Sequence, residues 1–134
     1  MTKSLSKVID LKPIVDSRGK LIFAEAENTI PFIIKRFFCL YDITDNTKRG
    51  EHAHKKTRLA LFCLSGSCTI VLDNGLNTQS IRLSRPNKGL LIEPLVWHHI
   101  ENCSKGTVIL ALASEYYDEQ DYLRNYNEFK EYIS

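Results

Sequence analysis

The chain has 134 residues, 43% hydrophobic and 25% charged, the size and make-up of one domain, spanning residues 1–134, that buries its own core. Lys+Arg 18 against Asp+Glu 16 leaves a net charge of +2, no basic excess for binding nucleic acid or a membrane surface. The longest apolar runs, Leu59 to Leu64 and Val108 to Ala113, fall far short of the about 20 residues that a bilayer crossing needs.

The start, MTKSLSKVIDLK, has no apolar stretch of leader length. A strand is expected at Val8 to Leu11, a turn at Asp16 to Gly19, and a second strand at Lys20 to Ala26. Pro31 opens an apolar stretch from Phe32 to Ile43. Strands follow at His52 to Lys56, Arg58 to Leu64 and Ser67 to Leu72. Asp73-Asn74-Gly75 is a hairpin turn, because Asn and Gly tolerate positive φ. Ser80 to Leu83, Gly89 to Ile92, Val96 to Glu101 and Thr107 to Ala113 complete the set. Many short strands with Gly and Pro between them predict a sandwich or barrel. In the tail, Tyr122, Tyr126, Phe129 and Ile133 recur at steps of four, three and four, predicting one amphipathic helix over about Glu119 to Tyr132, capped by Asp118. Cys39, Cys63, Cys68 and Cys103 form no CxxC pair and sit in or beside apolar segments, as free thiols of a cytoplasmic protein do.

The histidines are concentrated in two places, His52 with His54 and His98 with His99. On a strand, residues i and i+2 share a face, so His52 and His54 point into one space. Only one of His98 and His99 can join them if their segment is extended. Such a group suits metal binding through imidazole nitrogens or acid–base work near neutral pH, and satisfied structural histidines are the third alternative.

The surrounding residues narrow this. Arg49-Gly50-Glu51-His52-Ala53-His54-Lys55-Lys56, then Gly66, then Glu93-Pro94-Leu95-Val96-Trp97-His98 and Asn102 resemble the two motifs of the cupin family. The resemblance implies a mainly β fold, a small cupin or jelly-roll barrel with one C-terminal amphipathic helix. The position of the usual carboxylate metal ligand holds Leu59, so no metal is expected. RGxHAHK, the LDNG turn, PxxVWH and the tail from Ser114 through Tyr117-Asp118-Glu119 to Tyr126 are similar to one cupin branch, the WxcM-like dTDP-sugar 3,4-ketoisomerases. Asp16 to Gly19 and Ile34-Lys35-Arg36 belong to the same likeness, which runs from about Asp10 to Phe129. It implies cofactor-free isomerisation of a dTDP-linked 4-keto-6-deoxy sugar, with His52 and His54 as the catalytic pair. It also makes Ser114, Tyr116 and Tyr117 of interest.

That reaction removes a proton from C3, passes through an enediol and returns a proton to C4. One histidine is expected to act on carbon and the other between O3 and O4. A cation stabilises the enediolate. Arg49 suits that role, but strict alternation puts it on the face opposite His52, so a bulge or the strand start must turn it inward. Tyr41 is a candidate donor to a sugar oxygen. Arg36 and Lys55 are candidate diphosphate cations, Trp97 a base-stacking or pocket wall, and His98 an orienting group. The alternatives are a metal-dependent cupin, an epimerase on the same keto sugar, and a non-catalytic nucleotide-sugar-binding cupin. A homodimer is expected, with Phe32 to Leu40 as its apolar interface.

Overall fold

CTIVLD at 68–73 and VILALA at 108–113 bury every second side chain, as sheets with one face on a core do. The computed structural model describes residues 5–134; the part of the leader reading that rests on residues 1–4 lies outside them. The frame consists of β1 (Lys7–Asp10), β2 (Ile14–Asp16), β3 (Gly19–Leu21), β4 (Arg36–Leu40), β5 (Arg49–His54), β6 (Leu59–Ser65), β7 (Cys68–Asp73), β8 (Thr78–Leu83), β9 (Lys88–Ile92), β10 (Trp97–Glu101), β11 (Val108–Ala113), β12 (Tyr122–Leu123) and α1 (Tyr126–Ile133).

Two five-stranded antiparallel sheets run β1-β9-β6-β11-β4 and β12-β5-β10-β7-β8. Strands β4 to β11 alone give the interlocked double Greek key of a jelly roll, while β1 and β12 each extend one edge. The core between the sheets is built from Leu59, Leu61, Ile70, Leu72, Leu90, Ile92, Ile100 and Ile109 with their small neighbours. The mainly β barrel with one C-terminal helix is therefore as expected. At the β7–β8 hairpin, the side chain of Asp73 accepts the Gly75 N–H at 2.7 Å, and Gly75 takes φ 91, the left-handed conformation the turn was read for.

Three elements differ from the sequence reading. Lys20 to Ala26 is not one strand: β3 ends at Leu21 in a hairpin with β2. Phe32 to Ile43 pairs only over Arg36–Leu40. The reason is a second core on the outer face of the first sheet, where Ile30 and Phe32 cover Ala60 and Phe62, with Ile22, Ala24 and Ile34 packed alongside. An apolar segment that covers a sheet has no need to pair with it. The third difference is the tail. A short 3₁₀ turn at Glu119–Asp121 leads into β12, and α1 begins only at Tyr126. Asp118 does cap, but it caps the 3₁₀ turn. The cap of α1 is Asn125, whose side chain accepts the Glu128 N–H at 3.1 Å.

The tail breaks there because Asp121 is held by the connection between β5 and β6. Its buried carboxylate accepts from Lys56 N–H at 2.6 Å and from both Thr57 N–H and Thr57 Oγ1. Its own carbonyl accepts from Lys55 N–H at 2.8 Å. These bonds set Tyr122 opposite His54 and Leu123 opposite Ala53.

Candidate active site

β5 and β10 bring the histidines together. The register runs His52 opposite His98 and then Gly50 opposite His99, with the shift between the two β10 residues. Glu51 is thus the extra residue of a β-bulge. Gly50 at φ 96 and Glu51 at φ 51 take the positive φ that a bulge of this kind requires. The bulge inverts alternation once, so Arg49 lines the same cavity as His52, as the sequence required of an inward Arg49. On β10, His98 and Ile100 face inward and are buried while Trp97, His99 and Glu101 alternate outward. That decides between His98 and His99; His99 Nε2 lies 3.2 Å from the Glu101 carboxylate instead.

The imidazoles form a tight group. Ring centroids lie 4.9 Å apart for His52 and His54, 4.8 Å for His52 and His98, and 5.8 Å for His54 and His98. His52 Nδ1–H donates to the Gly50 carbonyl at 2.8 Å and His98 Nδ1–H to the Val96 carbonyl at 3.1 Å, so both rings keep Nε2 as the basic nitrogen. His54 Nε2 is buried with no hydrogen-bond partner. Burial, with charge repulsion from His52 and Arg36 added, pushes His54 down to about 3. Burial first and His52 second do the same to His98, also to about 3. Burial lowers His52 too, partly offset by its bond to Gly50. All three are neutral imidazoles near pH 7, in the form that accepts a proton.

The cavity has a volume of about 330 Å³ and an apolar floor of Phe38, Leu40, Leu59, Leu61 and Ile100. Arg36 and Arg49 line it. Neither has an ion-pair partner among the described residues, and Arg36 Nε is buried without a hydrogen bond. The Arg36 guanidinium lies between the rings of Phe38 at 5.7 Å and Tyr117 at 5.6 Å. Potential ligand atoms of His52, His54 and His98 lie within 4.8 Å of one another, close enough to share one cation, but the neighbouring wall is the hydrocarbon of Leu59 and no carboxylate of the described residues lines the cavity. That donor set is poorer than the three-histidine-plus-carboxylate arrangement whose carboxylate position Leu59 fills.

Three candidates lie elsewhere. Trp97 is on the outer face of β10, packed 5.3 Å from Tyr126 and 5.6 Å from Phe129, because alternation that turns His98 inward must turn Trp97 out. Lys55 follows β5 on the helix side, its Nζ 5.4 Å from the Tyr132 ring. Tyr41 is exposed and lines a separate groove with Asp42, Thr44 and Thr47. None of the three lines the histidine cavity.

The sequence reading named Tyr117, which lines the cavity, but missed the rest of its rim. Tyr122 packs 5.0 Å from the His52 ring and 4.6 Å from the His54 ring. The Arg124 guanidinium lies 4.2 Å above the Tyr122 ring. Arg124 is gripped in turn by Glu119, Nε to Oε1 at 2.6 Å and Nη2 to Oε2 at 2.9 Å, and the Tyr117 hydroxyl donates to the same carboxylate. Arg124 first and Tyr117 second hold Glu119 down to about 2. A signal was present: Asn125 with Glu128 three residues on marks a helix start at Tyr126, which leaves Asp121-Tyr122-Leu123-Arg124 free to alternate as a strand.

The family model described as "FdtA: WxcM-like, C-terminal" matches residues 4–134. The chain belongs to the WxcM-like FdtA family. Within and around that family, a TDP-4-oxo-6-deoxy-alpha-D-glucose-3,4-oxoisomerase of Aneurinibacillus thermoaerophilus is 47% identical over 129 residues, 96% of this chain and 93% of that one. The crystal structure of a 3,4-ketoisomerase from Helicobacter canadensis is 42% identical, with a TM-score of 0.93 over 96% of each chain. A mutant of the 3,4-ketoisomerase QdtA from Thermoanaerobacterium thermosaccharolyticum, crystallised with TDP-4-keto-6-deoxyglucose, is 39% identical, with a TM-score of 0.95 over 98% of this chain and 96% of that one. The likeness extends at the level of fold alone to the RmlC epimerase of Mycobacterium tuberculosis, 17% identical with a TM-score of 0.75 over 88% of this chain and 67% of that one. No helix among the described residues is long and apolar enough to cross a membrane.

Proposed function

We propose that this protein is a 3,4-ketoisomerase acting on dTDP-4-keto-6-deoxyglucose, moving the carbonyl from C4 to C3 by proton transfer. The observation that carries the reading is a group of neutral imidazoles in an apolar-floored cavity, flanked by two arginines without ion-pair partners among the described residues. Membership of the WxcM-like FdtA family and the activities of the relatives support the substrate.

His52, the member of the pair that lines the cavity, takes the C3 proton at Nε2. His54, packed against it with a free Nε2, completes the acid–base pair that returns a proton to C4. Negative charge on the enediolate is met by Arg49 and Arg36, which cost no reorganisation because they are already aimed at the cavity. The apolar floor lowers the local dielectric and strengthens that attraction. His98 steadies His52 from the facing strand. The 3-keto product suits an aminotransferase, which would give a 3-amino-3,6-dideoxyhexose.

The protein works as a homodimer in this reading. Phe32 is part of the outer core and Phe38 and Leu40 line the cavity, so the available apolar surface is Ile33 and Phe37, together with Ile14, Val15 and Leu21 of the β2–β3 hairpin, all exposed. Light scattering on the purified protein tests this: a monomer mass refutes it.

The test of function is NMR of chelator-treated protein with dTDP-4-keto-6-deoxyglucose in D₂O. A 3-keto product carrying deuterium at C4 is expected. Deuterium at C3 or C5 with the 4-ketone retained throughout would replace the reading with an epimerase. A second reading, a metal-dependent cupin, rests on the three-histidine cluster; it wins if turnover appears only when a divalent metal is restored. Binding without turnover in either state would leave a nucleotide-sugar-binding protein.

A further inference from the structure

Moving a carbonyl from C4 to C3 requires two proton transfers. One hydrogen goes from C3 to C4, and a second goes from O3 to O4. His52 and His54 account for the first. With that pair engaged in the carbon-side transfer, the sugar oxygens call for a further protic group. Of the other protic groups lining the cavity, His98 has its Nδ1–H committed to Val96 and Tyr117 has its O–H committed to Glu119. The arginines hold their protons at any working pH.

Tyr122 remains. Its ring lines the cavity and touches both catalytic histidines, and its hydroxyl makes no hydrogen bond to any described residue. Its backbone is fixed opposite His54 by the β12–β5 pairing and by the Asp121 anchor one residue earlier. Its ring is capped by Arg124, itself clamped by Glu119. This much structure spent on holding a phenol with a free hydroxyl argues for a task at that hydroxyl.

We propose that Tyr122 is the oxygen-side proton relay of the isomerisation, an inference that rests on the enediol reading above. As the C3 proton leaves to histidine, the Tyr122 O–H bond breaks and its proton goes to O4. When C4 is reprotonated and C3 becomes the ketone, the O3–H bond breaks and that proton restores the phenol. The residue ends as it began, and no electron acceptor is involved.

Tyr122→Phe tests this, because it removes the O–H and keeps the ring that packs against the histidines. Turnover is expected to fall at least about 100-fold, with thermal stability and TDP affinity kept. In D₂O the recovered 4-keto substrate of the variant is expected to gain deuterium at C3, since the carbon-side base is intact. Turnover within about threefold of the parent overturns the proposal. So does loss of C3 exchange together with turnover, which would assign Tyr122 to holding the histidines. A parent enzyme that forms no 3-keto product refutes the isomerase reading itself, and is read from the parent enzyme alone.

Discussion

Acid is the most direct probe of the site, because burying neutral imidazoles makes folding compete with protonation. His54 and His98 are each about 3% exposed and hold their protons only near pH 3, whereas an unfolded histidine titrates near 6.5. Above about pH 6.5 both states leave them neutral and no penalty arises. As the pH falls below that, the unfolded chain takes up protons that the folded chain refuses, so stability drops continuously toward the folded value. At about pH 5 each residue costs about 2 kcal/mol, from 1.5 pH units at about 1.4 kcal/mol each, and the two together about 4 kcal/mol. His52 shifts the same way. That is a large share of a typical domain's stability of about 5–15 kcal/mol. Glu119, held to about 2, and Asp16, also lowered, have folded values below this window. The assay is urea unfolding at about pH 7, 6 and 5 for the parent chain and for His54→Gln combined with His98→Gln. The parent curve should shift steeply to lower urea with acid and the double variant's much less. Parallel pH dependence in the two proteins would refute the claim that these imidazoles are held neutral by burial.

Four further outcomes are expected. His52→Asn and His54→Asn should each lower kcat at least about 100-fold while TDP binding, read by calorimetry, is retained. Gly50→Ala forces a Cβ to 3.2 Å from the His98 carbonyl at φ 96; it should cost about 1–2 kcal/mol in thermal unfolding and raise KM as Arg49 loses its inward path. Asp121→Ala removes the charged acceptor of three hydrogen bonds; melting should shift down by about 2–4 kcal/mol equivalent, with kcat falling as Tyr122 loses its register. Trp97→Phe should destabilise by about 1–2 kcal/mol yet leave kcat/KM within about threefold, since Trp97 packs under α1 and not in the cavity.

Much of this protein was legible from its residues in order. Short apolar runs with turn punctuation implied the barrel, and the i, i+2 spacing of His52 and His54 put two imidazoles on one face whatever the sheets did around them. Those are local properties, set by backbone geometry within a few residues. That an inward Arg49 needs a break in alternation was legible too, but whether a bulge or the strand start supplied it was not, and the pairing of β5 with β10 places the bulge at Gly50-Glu51. The choice between His98 and His99 was not: either register of β10 is locally acceptable, and only pairing with β5 and β7 selects one. Trp97 followed from the same choice and left the cavity with it. The tail was misread because Tyr122, Tyr126, Phe129 and Ile133 fit a helix by period, while the contact that forbids one there holds Asp121 and comes from Lys56 and Thr57, 65 and 64 residues away along the chain. A buried carboxylate satisfied by a distant backbone outweighs a weak helical preference. What the sequence determined by itself was the fold class and the placing of two imidazoles, His52 and His54, on one strand face. The tertiary structure decided which side chains surround that pair, because membership of a cavity depends on strand register and long-range hydrogen bonds that no local pattern records.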